Sequence, residues 1–159
     1  MQKSITKLHA LELSHLKQRY PNVPEHCIAV TKWSDKTANE LEKAIVRFLE
    51  LSGHQAERIK NMGRFLDNTK IVRDVMGINR SIGSKQYIPG TGKNGTADIS
   101  ATIKGRSVKI EVKIGKDKQS AVQVQYQQEI EFAGGQYWIA TDFDSFYFHY
   151  SAFLDYLAL

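Results

Sequence analysis

Two acidic residues near the middle of the chain, Asp98 and Glu111, have the types and the spacing to bind a metal ion together. They lie in segments 98–103 and 107–113, which alternate polar and apolar residues and flank a Lys-Gly dipeptide that fits a two-residue hairpin turn. The pairing that keeps both alternations in phase, rather than one slipped by a residue, places the two carboxylates directly opposite each other. The sequence therefore predicts a β-hairpin with like charges on neighbouring strands.

The opposed carboxylates indicate a divalent cation between them. Acids directly across an antiparallel pair destabilise it unless positive charge lies nearby, and hard oxygen ligands suit Mg²⁺ or Mn²⁺. Lys113 follows Glu111 by two residues and points to the same face, where its ammonium group could hold a water molecule or a phosphate oxygen. Such a group suits metal-assisted phosphodiester hydrolysis. The alternative is that both acids are solvated strand residues paired with Lys109 and Lys113.

Patterns before and after the hairpin predict the elements that position it. Thr37 and Glu40 form a Thr-x-x-Glu capping box, and the apolar residues that follow at helical spacing predict a helix that ends at Gly53. The other predictions are a helix over 4–20, a strand over 55–60, a short helix over 67–76, a flexible basic loop over 77–95, strands over 136–141 and 146–150, and a closing helix over 151–159.

Ser120 is expected to cap a further helix after the hairpin, ending at a Gly-Gly pair. The residues expected to face inward from this helix are Val122, Tyr126, Ile130 and Ala133. Together with the hairpin and the flanking strands, this order of elements predicts an α/β or α+β fold, with a mixed central sheet flanked by helices.

The charge of the chain is concentrated in its middle. The 159 residues carry a net charge of +5, but residues 54–118 contain 14 Lys and Arg against 6 Asp and Glu. Residues 119–159 contain no Lys or Arg and 5 acidic residues. This distribution indicates a face that binds a polyanion, with solvated basic loops as the alternative.

Length and cysteine content indicate a single globular domain in a reducing compartment. The single cysteine, Cys27, cannot form an internal disulfide and has no CxxC partner for zinc. The first 20 residues mix charged residues with short apolar steps, which is typical of neither a signal peptide nor a membrane span. We therefore expect a cytoplasmic protein that does not enter a membrane.

The residues in and around the hairpin resemble the PD-(D/E)xK nuclease superfamily and, within it, the virus-type replication–repair nuclease (VRR-NUC) domain. The resemblance covers roughly residues 37–148 and rests on four segments in the family's order. Ala97 stands where the family has a proline. The segments are the helix from Glu40 to Gly53 with Arg58 and Asn61-Met-Gly63, the strand start Gly95-Thr-Ala-Asp98-Ile99, the E-x-K strand Ile110-Glu111-Val112-Lys113, and Ser120-Ala-Val-Gln123 leading to Gly134-Gly135-Gln-Tyr137.

The resemblance implies a restriction-endonuclease-like fold and a set of metal ligands. The nuclease domain would be an αβββαβ-type core over residues 37–159, preceded by a helical extension over residues 1–36. The implied ligands of Mg²⁺ or Mn²⁺ are Asp98, Glu111, the backbone carbonyl of Val112 and Glu40.

Two further roles are implied by the resemblance. Lys113 would serve catalysis, and Gln123 would support the site or contact the DNA backbone. Helix capping is the alternative explanation for Glu40, and an exposed polar stripe shared with Gln127 is the alternative for Gln123.

The activity implied is metal-dependent DNA endonuclease cleavage that leaves a 5′-phosphate and a 3′-hydroxyl. A four-way junction cut by a homodimer is the preferred substrate assignment, since a two-fold junction needs two cuts and one chain carries one site. Alternatives are a flap nuclease, a less selective DNase, a DNA-binding module that does not cut, and a restriction or defence component that needs a partner. The basic residues expected to grip phosphates are Arg58, Lys60, Arg64 and Lys93.

Overall fold

The structure is a computed structural model that describes residues 4–59, 63–90 and 92–158. It divides into two compact units, one of residues 4–59 and 95–158 and the other of residues 63–90 and 92–94. Lys60, Asn61 and Met62, which the sequence analysis named, lie outside the described residues. The helices are α1 (Ile5–Arg19), α2 (Ala38–Leu51), α3 (Ala121–Phe132) and α4 (Phe143–Leu157); the strands are β1 (Gln55–Arg58), β2 (Arg64–Asp67), β3 (Lys70–Arg73), β4 (Asn79–Ile82), β5 (Lys85–Ile88), β6 (Ile99–Ile103), β7 (Arg106–Val112) and β8 (Gln136–Ala140).

The first unit is built on a four-stranded sheet with the strand order β1-β6-β7-β8. Strand β6 pairs antiparallel with β1 and β7, whereas β8 pairs parallel with β7 after the crossover through α3. The elements α2, β1, β6, β7, α3 and β8 follow in the αβββαβ order, with β2 to β5 inserted between β1 and β6. The prediction of a mixed central sheet flanked by helices is confirmed.

The central hairpin of β6 and β7 has the predicted register. Ile99 pairs with Ile110 and Ala101 pairs with Val108. Both turn residues between the strands have positive φ, 48° at Lys104 and 78° at the following glycine. Positive φ at both central residues matches the right-handed twist of a two-residue hairpin.

One face of this sheet forms the core. Side chains alternate across a strand, so the buried apolar residues of β6 and β7 point to the same face. Helices α2 and α4 supply most of the other core residues, and α1 and β8 add the rest. The Phe48 ring meets those of Phe143 and Phe146 edge-on at centroid distances of 5.7 and 5.8 Å. The capping box of α2 forms as predicted, with Thr37 Oγ1 accepting from the Glu40 amide.

Helix α1 belongs to the same compact unit as α2. Leu8 is fully buried in the core, and Glu12 is buried beside it. The Glu12 carboxylate accepts hydrogen bonds from the Trp33 indole at 2.6 Å and the Thr31 amide at 3.2 Å. These bonds fasten the segment between α1 and α2, so residues 4–36 pack as part of this unit.

The aromatic segment after β8 is helical, so the prediction of a strand over 146–150 is wrong. Asp142 is the N-cap of α4, and its carboxylate accepts a hydrogen bond from the Ser145 amide at 2.7 Å. The buried aromatic residues recur every three or four positions, which fits a helix and not a strand. They are Phe143, Phe146, Tyr150 and Phe153.

The second unit is a two-stranded β-hairpin, which we call the arm (residues 64–88). Strand β2 pairs antiparallel with β5 and β3 with β4 in one continuous register, and the Asn68 amide bonds to the Ser84 carbonyl between the two ladders. The predicted helix over 67–76 is therefore wrong. The predicted loop over 77–95 is wrong where β4 and β5 form, and correct for residues 89, 90 and 92–95, which belong to no helix or strand. Asp67 accepts hydrogen bonds from the Thr69 amide and hydroxyl, and this local bonding, with the β-branched pair after Lys70, favours extended strands.

Helix α3 covers the sheet more loosely than predicted. It has no fully buried residue, Tyr126 and Ile130 are half-buried, and Val122 and Ala133 are exposed. The inward-facing prediction is thus correct for two residues of four. Among the described helices, none is long and apolar enough to cross a membrane.

Candidate functional site

The hairpin brings Asp98 and Glu111 together at one end of the β6–β7 ladder. Asp98 directly precedes β6, and extending the observed register by one residue places it opposite Glu111. The Val112 amide donates a hydrogen bond to Asp98 Oδ2 at 2.8 Å, which fixes the Asp98 carboxylate against β7. The sheet therefore places both predicted ligands side by side on the face opposite the core.

Glu111 is a buried carboxylate surrounded by donors. It is 1% exposed. Its Oε1 accepts hydrogen bonds from Gln123 Nε2 and from Lys113 Nζ, the latter at 3.1 Å. Its Oε2 accepts one from the Tyr137 hydroxyl at 3.3 Å. Such bonding offsets the cost of removing a carboxylate from water.

The Lys113 ammonium group is held among three oxygens. Its Nζ lies 3.1 Å from Glu111 Oε1, 3.2 Å from Gln123 Oε1 and 3.3 Å from Asp117 Oδ2. Burial alone lowers the pKa of Lys113, but the hydrogen bonds and charges of Glu111 and Asp117 outweigh it and raise that pKa above its ordinary value. Lys113 is therefore a cation at neutral pH, suited to donating hydrogen bonds and not to accepting a proton.

Burial and charge also raise the pKa of Glu111. Desolvation contributes most, and the charge of Asp98 adds to it, while Lys113 and the Tyr137 hydroxyl lower it by less. The pKa of Tyr137 is raised in turn by its burial and by Glu111, so its hydroxyl stays protonated and acts as a donor. The pKa of Glu111 is therefore raised first by its removal from water and second by the neighbouring Asp98 charge.

Gln123 belongs to the site because α3 begins beside it. Its amide nitrogen donates to Glu111 while its Oε1 accepts from Lys113 and from the Ser120 amide at 2.9 Å. The bond from the Ser120 amide is half of a capping box, and in the other half Ser120 Oγ accepts a hydrogen bond from the backbone amide of Gln123. One side chain therefore caps α3 and joins the acid to the lysine.

Gly95 lets the chain before Asp98 approach the first turn of α3. Its φ is +78°, and a Cβ there would lie 2.7 Å from the Val122 carbonyl oxygen. A side chain would meet both the strain of positive φ and this contact. A glycine at this position therefore allows the β6 strand start and α3 to pack closely.

Glu40 makes capping contacts and is not grouped with the other acids. Its carboxylate accepts hydrogen bonds from the Thr37 amide at 3.2 Å and the Ser34 hydroxyl at 3.1 Å. The side chain of Thr37 contributes most to the lowered pKa of Glu40, followed by the Ser34 hydroxyl, and the Thr37 amide contributes less. Within residues 4–59, 63–90 and 92–158, no three His, Cys, Asp or Glu residues form a group that could hold a metal ion.

Asp98, Glu111 and the carbonyl of Val112 nevertheless suit Mg²⁺ or Mn²⁺. All three offer hard oxygen donors, and Mg²⁺ is usually held by one or two carboxylates while water and substrate phosphates complete its shell. The placement of Asp98 beside Glu111, fixed by the hairpin register and by the Val112 hydrogen bond to Asp98, is the observation that favours this fit, because a cation near two neighbouring carboxylates relieves their repulsion. The role of Glu40 as a further ligand stays a prediction.

The basic residues predicted to grip phosphates have different surroundings. Arg58, on β1, forms an ion pair with Glu42 and donates to the Asn39 side chain at 2.9 Å, so its charge is already compensated. Arg64 and Lys93 are exposed residues of the second unit. Lys60 lies outside the described residues.

Two residues of the site were not predicted from the sequence. Tyr137 reaches Glu111 because β8 pairs with β7, and the alternation of β8 puts Tyr137 on the face that carries the acids. The sequence signal that could have identified Tyr137 was the predicted helix between β7 and β8, because a helical crossover is typical of parallel neighbouring strands. Asp117 follows Lys113 by four residues in a loop, and no spacing rule for loops predicts that contact.

Comparison of the chain with protein-family models, with curated proteins and with solved structures found no match.

Proposed function

We propose that the protein is a metal-dependent DNA endonuclease that hydrolyses phosphodiester bonds with the help of Mg²⁺ or Mn²⁺. The observation that carries the proposal is the buried Glu111 carboxylate, held opposite Asp98 and bonded to the Lys113 ammonium group. Burying an acid beside a second acid on the neighbouring strand has an energetic cost, and strongly perturbed acids of this kind cluster at functional sites.

Each side chain has a distinct part in this proposal. Asp98 and Glu111 provide the carboxylate oxygens and Val112 a carbonyl oxygen. When bound there, a divalent ion would neutralise the phosphate and lower the pKa of a water molecule. Lys113 stays protonated and donates hydrogen bonds to a phosphate oxygen or to the attacking water. Gln123 and Tyr137 orient Glu111 through the bonds they donate to its two oxygens.

A VRR-NUC nuclease of the PD-(D/E)xK superfamily, with a restriction-endonuclease-like fold, is the family that we propose. The order of α2, β1, β6, β7, α3 and β8 supports this proposal, as does the E-x-K strand lying next to the acid of the preceding strand. Within this proposal, four-way DNA junctions cut by a homodimer are the preferred substrate, and a flap or less selective DNase is the alternative.

Cleavage assays on a panel of DNA structures test the activity. The protein would be incubated with four-way junctions, flaps, linear duplex and single strands in Mg²⁺, Mn²⁺ or EDTA. We expect cutting only with a divalent ion, and loss of at least about a hundredfold in rate for Glu111→Ala and Lys113→Ala. Lys109→Ala is the matched control, because Lys109 lies on the same strand and face but bonds to Ser100 at 2.5 Å.

Metal binding has a readout that does not depend on cleavage. Mg²⁺ should raise the thermal stability of the parent protein, since a ligand that binds only the folded state stabilises it. The increase should disappear in Asp98→Asn, which removes one of the two charges. An equal increase in both proteins would mean that the ion binds elsewhere, and full cleavage by Glu111→Ala would refute the site.

A DNA-binding module that does not cut is the second candidate. It is favoured by the bonding of Glu111, whose two oxygens already accept hydrogen bonds from three side chains. Binding to DNA that weakens with salt, without cleavage in Mg²⁺ or Mn²⁺, would support this candidate over the nuclease.

A further inference from the structure

The arm exposes an unusual amount of apolar surface. Eight of its large apolar side chains are more than two-fifths exposed: Phe65, Ile71, Val72, Val75, Met76, Ile78, Ile82 and Tyr87. Exposed apolar surface on this scale in a short ribbon is typical of a region that binds a partner. None of these residues belongs to the site around Glu111.

The end of the arm is a tightly bonded turn that holds two of these side chains in solvent. Val75 is fully exposed and Met76 is 79% exposed. The Asp74 carboxylate accepts hydrogen bonds from the Met76 amide at 2.9 Å and the Ile78 amide at 3.0 Å, and from Arg80 Nε at 2.8 Å. The turn is therefore ordered by its own polar groups, independently of its two exposed apolar residues.

The arm is also basic. It contains five Lys and Arg residues and two aspartates, and both aspartates are used internally. Asp67 pairs with Lys85 at 3.2 Å, and Asp74 pairs with Arg80. The structure gives Arg64 and Lys70 no ion-pair partner among the residues that it describes. Their positive charge is thus available to an anionic partner.

We propose that the arm binds duplex DNA, with Arg64 and Lys70 on backbone phosphates and Val75 and Met76 inserted against a base step. A two-stranded ribbon fits a groove of B-form DNA, lysine and arginine neutralise phosphates, and apolar side chains wedge between bases that they partly unstack. DNA offers both the negative charge and the apolar base surface that the arm matches. The choice of DNA among nucleic acids rests on the proposed nuclease function.

A second copy of the arm is a poorer match. Pairing two arms would bring their excess positive charges together, which costs energy at low salt. Double-stranded RNA is also less suitable, because its major groove is too deep and narrow for side chains to read.

Binding assays with the full chain in EDTA test the arm apart from cleavage. The affinity for a fluorescent duplex would be measured at several salt concentrations for the parent, Arg64→Ser/Lys70→Ser and Val75→Ser/Met76→Ser. The first double variant should reduce the slope of log affinity against log salt by about two, one for each lost phosphate contact. The second should weaken binding about tenfold or more with the slope unchanged, because the variant no longer has two apolar side chains to bury against the bases.

Matched controls remove side chains of the same kinds, two lysines or an apolar residue, at positions outside the arm. Lys32→Ser/Lys43→Ser removes two exposed lysines, and Phe132→Ser removes an exposed apolar side chain of α3. Both should bind DNA as the parent does. A duplex containing 2-aminopurine should fluoresce more on binding the parent but not Val75→Ser/Met76→Ser, since the increase reports unstacking.

The outcomes separate this inference from the proposed activity. Arm variants that bind like the parent, or self-association through the arm with no DNA binding by the parent, would overturn the inference. If the arm variants lose binding as expected but the parent never cleaves DNA in Mg²⁺ or Mn²⁺, the arm assignment holds and the nuclease proposal fails.

Discussion

The two faces of the central sheet carry opposite chemistry. Under α2 and α4, β6 and β7 present buried apolar residues, including Ile99 and Ile110. The other face presents Glu111 and Lys113, and the helix beside it, α3, has no fully buried residue. Ile110 and Glu111 are adjacent in one strand but have different roles. Ile110 contributes to stability, and Glu111 belongs to a charged site.

The contrast between the two faces indicates that the apolar face supplies most of the free energy of folding. Apolar burial on one face stabilises the sheet enough to tolerate the buried Glu111 beside Asp98 on the other. The charged face is expected to contribute little to stability, or even to reduce it in the absence of a cation. Changes at matched positions on the two faces can test this.

The largest effect is expected from the apolar face. Ile110→Ala should lower the free energy of unfolding by about 2–5 kcal/mol, because it leaves a cavity among fully buried side chains. Urea denaturation measures the change, with Thr102→Ala as the control on the exposed side of β6. A loss below about 1 kcal/mol for Ile110→Ala would contradict the assignment of the core to this face.

Gly95→Ala should have the next largest effect. A non-glycine residue at positive φ costs about 1–2 kcal/mol, and here the added Cβ also meets the Val122 carbonyl. Gly105→Ala is the matched control, since Gly105 has the same φ of +78° with no atom within 4 Å of its Cβ. The difference between the two variants in urea denaturation measures the contact with α3, and no difference would show that this contact is unimportant.

Glu111→Gln should raise the stability of the metal-free protein at neutral and alkaline pH. Because burial and Asp98 raise the pKa of Glu111, the folded state binds a proton that the unfolded state releases. The stabilisation from that proton is complete below the unfolded pKa and is lost as pH rises through the folded pKa. Thermal unfolding in EDTA at several pH values should therefore show an advantage of the variant that disappears at acid pH.

The exposed Glu131→Gln variant is the control for this pH dependence, because Glu131 lies on the outer side of α3. It should show no such advantage. A Glu111→Gln protein less stable than the parent at every pH would mean that the carboxylate stabilises the fold, so that the two faces do not differ as described.

Val122→Ala should have the smallest effect. Val122 lies on α3 and is about half exposed, so its removal from the loosely packed face should change the free energy of unfolding by less than about 0.5 kcal/mol. Chemical denaturation provides the measurement. A larger loss would show that α3 contributes more to the core than its burial indicates.

The sequence was most informative where local patterns agreed with one another. Alternation on both sides of Lys104-Gly105 predicted the register that opposes Asp98 to Glu111, and the capping box at Thr37 predicted the start of α2. Sequence patterns were less informative in the arm, where Ile71 and Val72 were assigned to a helix. Exposed apolar residues there do not follow the alternation that burial imposes, so the strands left little periodic signal.

By itself, the sequence determined the central hairpin, the caps of its helices and the acids and lysine of the E-x-K strand, because turn chemistry, capping and alternation are local properties. The tertiary structure decided which distant residues join them. Tyr137 and Gln123 reach Glu111 only because α3 carries the chain across to a parallel strand. Such pairings depend on how elements pack, which spacing along one chain does not encode.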